Sequence, residues 1–160
     1  VSTILGTTAH VSDYAAGDII SYSLTEANYT NASAIVESIA QAASATAIQT
    51  VAQNATAAAY TAGVDLVKLT TAVSATGTLQ QAFNTAIGTA TLTGFATAAD
   101  DIAFSLYDSN SGRALFGIAD TGATNTVLAT ADIVSLIGSV TMTAAEYAAF
   151  DNSDLSTTAA

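Results

Sequence analysis

Ile102-Ala103-Phe104-Ser105-Leu106-Tyr107-Asp108-Ser109-Asn110-Ser111-Gly112-Arg113-Ala114-Leu115-Phe116-Gly117-Ile118-Ala119 is a strand, a turn and a strand written in order. Ile102, Phe104 and Leu106 alternate with Ala103, Ser105 and Tyr107, the period of a β-strand whose successive side chains point to opposite faces. After the polar turn residues Asp108 to Gly112, Ala114, Phe116 and Ile118 share one side of the returning strand. The pattern predicts a hairpin with a five-residue, glycine-containing loop.

Working outward, Val64 to Thr70 places Val64, Leu66 and Lys68 opposite Asp65, Val67 and Leu69, a second strand pattern. Val1 to Leu5 and Ile19 to Leu24 read as short strands, and Ile133 to Val140 as an apolar run broken by Gly138. Two helix starts carry reciprocal caps: Thr78-Leu79-Gln80-Gln81, opening a short helix that ends near Gly88, and Thr143-Ala144-Ala145-Glu146, with Met142 and Tyr147 at the staple positions. From Asn31 to Tyr60 there is neither Gly nor Pro, and Ile35, Ile39, Ala43, Ala47 and Val51 recur at i+4 spacing. This predicts one long Ala-rich helix, or a helix pair parted near Ser44-Ala45-Thr46, with Asn31 as N-cap. The expected fold is therefore α+β: antiparallel strands with that helix or helix pair packed against them. A single domain spans 1–160, with a strand segment 1–30, a helical segment 31–61 and a strand-rich segment 62–160.

Composition limits the function. The 160 residues carry 13 Asp and Glu against 2 Lys and Arg, a formal charge of −11. Such a surface repels nucleic acid, and Lys68 and Arg113 alone cannot neutralise a row of phosphates; each is expected to pair with nearby carboxylates. No Cys is present, which removes disulfides, thiolate nucleophiles and Cys-based metal sites. The charge-free run Ser38 to Val64 is too rich in Gln, Asn, Ser and Thr to span a bilayer. Hydrophobic residues nevertheless make up 51%, of which Ala is the largest part, so elements must approach closely to gain contact. With high Thr, Ala, Asn and Asp and almost no Lys, the composition fits a secreted bacterial chain, and Val1 in place of Met reads as a processed start.

Asp13-Tyr14-Ala15-Ala16-Gly17-Asp18-Ile19-Ile20 resembles the D-[FY]-x-x-G-D-x-I segment near the end of the calcium-binding repeat regions of type I-secreted bacterial proteins, the RTX group. Phe104 to Phe116 is similar to the Y-D-x-x-x-G-x-L hairpin of their C-terminal domains. The resemblance implies export without a cleaved N-terminal leader, folding outside the cell, and use in surface layers, adhesins, fibres or exoenzyme tails. The glycine-rich G-G-x-G-x-D nonapeptide of that group is missing, so no calcium β-roll is expected within these residues. Calcium can still be taken by clustered carboxylates and loop carbonyls. The candidate pairs are Asp13 with Asp18, Asp100 with Asp101, and Asp108 with Asn110, each also readable as a turn-forming Asx residue.

Asp120-Thr121-Gly122-Ala123 resembles the active-site loop of aspartic proteases, whose chemistry needs two carboxylates sharing a proton. Leu136-Ile137-Gly138 follows too soon to leave room for a flap, and the turn reading is preferred. His10 is the single imidazole and lacks partners for zinc or a triad. No catalytic constellation emerges. The expected function is structural: a self-assembling subunit of a secreted surface polymer, fibre or surface layer, associating with itself by strand pairing through Val1–Leu5. A monomeric C-terminal secretion or capping module is the alternative.

Overall fold

The computed structural model describes residues 2–5, 9–11, 14–15, 18–22, 48–56, 58–59, 64–93, 101–120, 127–130 and 132–157. In chain order these form strands β1 (Ser2–Leu5), β2 (Ala9–Val11), β3 (Ile19–Tyr22), β4 (Ile48–Val51), β5 (Ala58–Ala59) and β6 (Leu66–Leu69). Helix α1 (Leu79–Ile87) precedes β7 (Leu92–Thr93), β8 (Asp101–Asp108), β9 (Arg113–Asp120), β10 (Val127–Leu128) and β11 (Ile133–Thr141). Helix α2 (Ala144–Ala149), a 3₁₀ turn (Asn152–Asp154) and β12 (Leu155–Thr157) close the chain.

The centre is a six-stranded mixed sheet ordered β2-β11-β9-β8-β6-β4. The hairpin forms as β8 and β9, with Asp108 opposite Arg113 and Phe104 opposite Gly117. Its loop is four residues rather than five, because Asp108 itself remains in the ladder. Both faces of the hairpin are buried. Ile102, Phe104 and Leu106 face a core that α1 closes with Phe83, Ala86 and Ile87. Ala103, Tyr107, Phe116 and Ile118 face the other core, with Met142, Tyr147 and Phe150. The alternation that looks like one apolar and one plain face thus serves two cores. On β6 the same rule sends Leu66 to one core and Val67 and Leu69 to the other.

The two capping boxes form. Thr78 accepts from the Gln81 backbone N–H while Gln81 returns the bond to Thr78, and Gly88 caps the C-terminus at φ 59°. Thr143 and Glu146 do the same for α2, and Met142 and Tyr147 are both buried in the core beneath it. Gln80 then clamps α1 to β11: its amide donates to the Asp132 carbonyl at 2.8 Å and accepts from the Val134 N–H at 3.1 Å.

The fold is mostly β, and three expectations are corrected. The long Ala-rich helix is overturned over its described part: Ile48–Val51 is strand β4, Asn54 turns the chain at φ 59°, and Ala58–Ala59 is β5. The rest of the predicted helix, 31–47, lies outside the described residues. The longest helix among the described residues has nine residues. The physical reason is a non-local partner. Ile48-Gln49-Thr50-Val51 is rich in β-branched side chains and pairs in parallel with Leu66-Val67-Lys68-Leu69, and Val51 is buried. Second, the strands are not simply antiparallel: β4 with β6, β6 with β8, and β2 with β11 are parallel. Third, Gly138 does not break the run from Ile133; β11 is continuous and absorbs one residue as a bulge between Leu136 and Gly138.

A second sheet has three parallel strands in the order β1-β3-β12. Ile20 of β3 and Leu155 of β12, register partners, both belong to the core that holds Tyr147 and Phe150. A third small sheet is ordered β10-β7-β5.

Candidate functional site

The groups that carry chemistry fall in four places. Asp108 ends β8, 6% exposed, and its carboxylate is taken up by the turn it starts. Oδ1 accepts from the N–H groups of Ala75 (2.9 Å) and Asn110 (3.0 Å). Oδ2 accepts from the Ser111 hydroxyl (2.6 Å) and the Ser111 N–H (3.3 Å). Burial alone would raise its pKa, but these donors outweigh it and hold the carboxyl below the usual range. Asp108 and Asn110 are therefore brought together as an Asx turn that also ties down the segment after β6. The Asn110 side-chain amide donates to Ala75 O at 3.3 Å.

Asp18 accepts from the Ala15 N–H at 3.0 Å, again as a turn residue. With Glu146, Asp151 and Asp154 it surrounds Tyr14, whose hydroxyl is pushed up to about 12 by burial first and by these four charges next. Asp13 and Asp100 lie outside the described residues. Asp101 begins β8, opposite Asp120 at the end of β9. Among the described residues no group of three His, Asp or Glu side chains is placed to hold a metal ion.

Asp120, the aspartate of the Asp-Thr-Gly segment, has as a neighbour a carboxylate that sequence reading missed. Asp132 sits just before β11, 5% exposed, with Oδ2 accepting from the Ala129 N–H at 2.7 Å. Burial raises its pKa to about 6 against the lowering effect of that bond, and the Asp120 charge adds to the rise. Nothing local marks Asp132. It lies where β11 starts, beside helix α1, whose Gln80 bonds the Asp132 carbonyl at 2.8 Å. Thr121 and Gly122 lie outside the described residues. His10 stands on β2, its backbone opposite Ser139 of β11.

Lys68 is 4% exposed on β6 and was expected to meet a carboxylate. Instead Nζ donates to the carbonyls of Ala148 (3.0 Å) and Phe150 (2.7 Å), the end of α2, where the helix dipole favours a cation. The rings of Tyr147 and Phe150 stand 5.1 and 5.8 Å from it. Burial lowers its pKa, while Asp151 and Asp154 oppose that through space. Tyr147 donates its hydroxyl proton to Leu69 O at 3.1 Å, so Ser105, also 3.1 Å away, is the donor to Tyr147. The Ser105, Tyr147 and Lys68 polar groups thus fasten α2 to the sheet.

The fourth place is the three-stranded sheet. β1, the segment expected to cross between subunits, pairs within its own chain: Ser2 to Leu5 run parallel to Ile19 to Tyr22. β12 lies on the other side of β3, also parallel. Among the described residues β3 is the only strand partner of each, so each leaves one edge without a ladder partner there. No helix among the described residues is long and apolar enough to cross a membrane. Comparison of the chain with protein-family models, with curated proteins and with solved structures finds no match.

Proposed function

We propose that this chain is a structural subunit of an extracellular bacterial polymer, a fibre or surface layer, built by self-association through β1 and β12. The observation that carries the reading is the order β1-β3-β12 with all three strands parallel. The outer edge of β12 in one copy and the outer edge of β1 in the next have the polarity needed to continue one parallel sheet. Such a contact is heterologous: it uses two different patches, and repeated without ring closure it generates a filament. Edge strands offer unpaired N–H and C=O groups for this augmentation. The composition and the likeness of Asp13–Ile20 to type I-secreted proteins support an extracellular setting. At −11 per copy, like-charge repulsion opposes assembly, so association strengthens with salt, and calcium is the proposed physiological counter-ion.

Light scattering and negative-stain imaging test this across a salt series and with calcium. The expected result is filaments or large oligomers. Pro at Thr3 and, separately, at Ile4 probes the edge, since neighbouring strand residues direct their N–H groups to opposite sides. One of the two spares the bond to β3, and that variant stays folded while failing to assemble. A monodisperse monomer under all conditions refutes the proposal and favours a secretion or capping module.

A further inference from the structure

Lys68 is the only lysine of the chain, and its ammonium carries three N–H donors. Two are spent on Ala148 O and Phe150 O; the third has no partner among the described residues. Asp151 and Asp154 act on the charge through space and not by contact. The same side chain lines a pocket of about 220 Å³ together with Thr50, Thr70, Tyr107, Tyr147 and Ala148. Tyr107 and Tyr147 stack with ring centroids 5.6 Å apart and give the lining an aromatic part. We propose that this pocket binds a small carboxylate with a short apolar tail, one carboxylate oxygen taking the third N–H of Lys68.

The chemistry follows from what the site lacks. A buried cation with a spare donor and no contacting anion among the described residues is costly, and a carboxylate supplies the acceptor and the charge together. The tail packs beside Tyr107 and Tyr147 and covers the exposed Ala148 methyl, removing that apolar surface from water. The volume is below the roughly 300–1,000 Å³ of sites for drug-sized molecules, which restricts the ligand to a few carbons. The net charge of −11 works against any anion at long range, but salt screens that repulsion beyond about 8 Å and leaves the direct bond intact.

Because there is one lysine, ¹⁵N-lysine labelling of the full chain yields a single side-chain Nζ signal, a direct probe of the site. Sodium butyrate is titrated against butyramide, which has the same shape without the charge, at matched ionic strength. The expected result is a saturable Nζ shift with butyrate and binding of butyramide weaker by roughly tenfold or more. Ala148→Leu fills the pocket from the exposed side of α2 and leaves the Ala148 carbonyl in place. It is expected to keep the Nζ signal of the folded protein and abolish the butyrate response. Equal responses to butyrate and butyramide, no saturable shift, or an unchanged response in the Leu variant each overturn the proposal.

Discussion

Replacing Asp132 by Asn isolates the cost of one buried carboxylate. Oδ2 of Asp132 accepts from Ala129 N–H at 2.7 Å, and an Asn oxygen can keep that bond. The carboxyl titrates near 6 in the folded protein against 3.8 when unperturbed, chiefly because it is buried, with Asp120 adding to the shift. Between about pH 4 and 6 the folded state therefore holds a proton that the unfolded state has released. Stability contributed by this group is present below the lower value and is lost as pH rises to the upper one. At pH 7 the ionised group opposes folding by at most ~3 kcal/mol, about two units at 1.36 kcal/mol each. Asn carries no charge at any pH, but its amide donors need acceptors, so the expected net gain is about 1–2 kcal/mol at pH 7. That corresponds to a Tm rise of roughly 2–8 °C in a chain of this size. Urea denaturation followed by tyrosine fluorescence at several pH values measures it; the protein has six Tyr and no Trp. The same amide cost leaves the variant about 1–2 kcal/mol less stable than wild type at acid pH, and the difference should change sign as pH rises and reach its plateau above pH 6. A difference that does not vary with pH, or a variant less stable than wild type at pH 7, refutes the reasoning.

Gly117 lies under the ring of Phe104, and a Cβ there would stand 2.6 Å from Phe104 Cζ and 2.8 Å from the Ser135 carbonyl oxygen. Gly117→Ala should cost about 1–3 kcal/mol in urea denaturation, with Phe104→Leu recovering part of the loss in the double variant, since only the ring and not the Ser135 carbonyl can give way. Asp108→Ala strips acceptors from Ala75, Asn110 and Ser111 and should cost about 2–3 kcal/mol at pH 7. Because the folded Asp108 carboxyl titrates below its usual range, its stabilisation is present above about pH 4 and lost as pH falls further. The Ala variant's deficit should therefore shrink in acid, which denaturation at pH 7 and pH 3 checks.

Local signals were legible wherever the partner is close in the chain. Thr78 with Gln81 and Thr143 with Glu146 complete their bonds within one helical turn, and Asp108 reaches Asn110 and Ser111 inside its own hairpin. The period-2 alternation of Ile102–Tyr107 specifies a strand whatever covers it. The stretch Ile48–Val51 was not legible, because its small and β-branched residues suit a helix stripe as well as a strand. Its state is decided by Leu66–Leu69, which lies far along the chain.

The amino-acid sequence by itself determined the caps, the hairpin and the exclusion of thiol chemistry, since each follows from short-range bonding or from residue counts. Only the tertiary structure decided that Lys68 meets carbonyls instead of carboxylates, that Asp132 is buried near Asp120, and that β1 and β12 flank β3. Those outcomes depend on pairing between distant segments, such as Leu155 with Ile20. The free energy of such pairing comes from burial and ladder bonds that no local window contains.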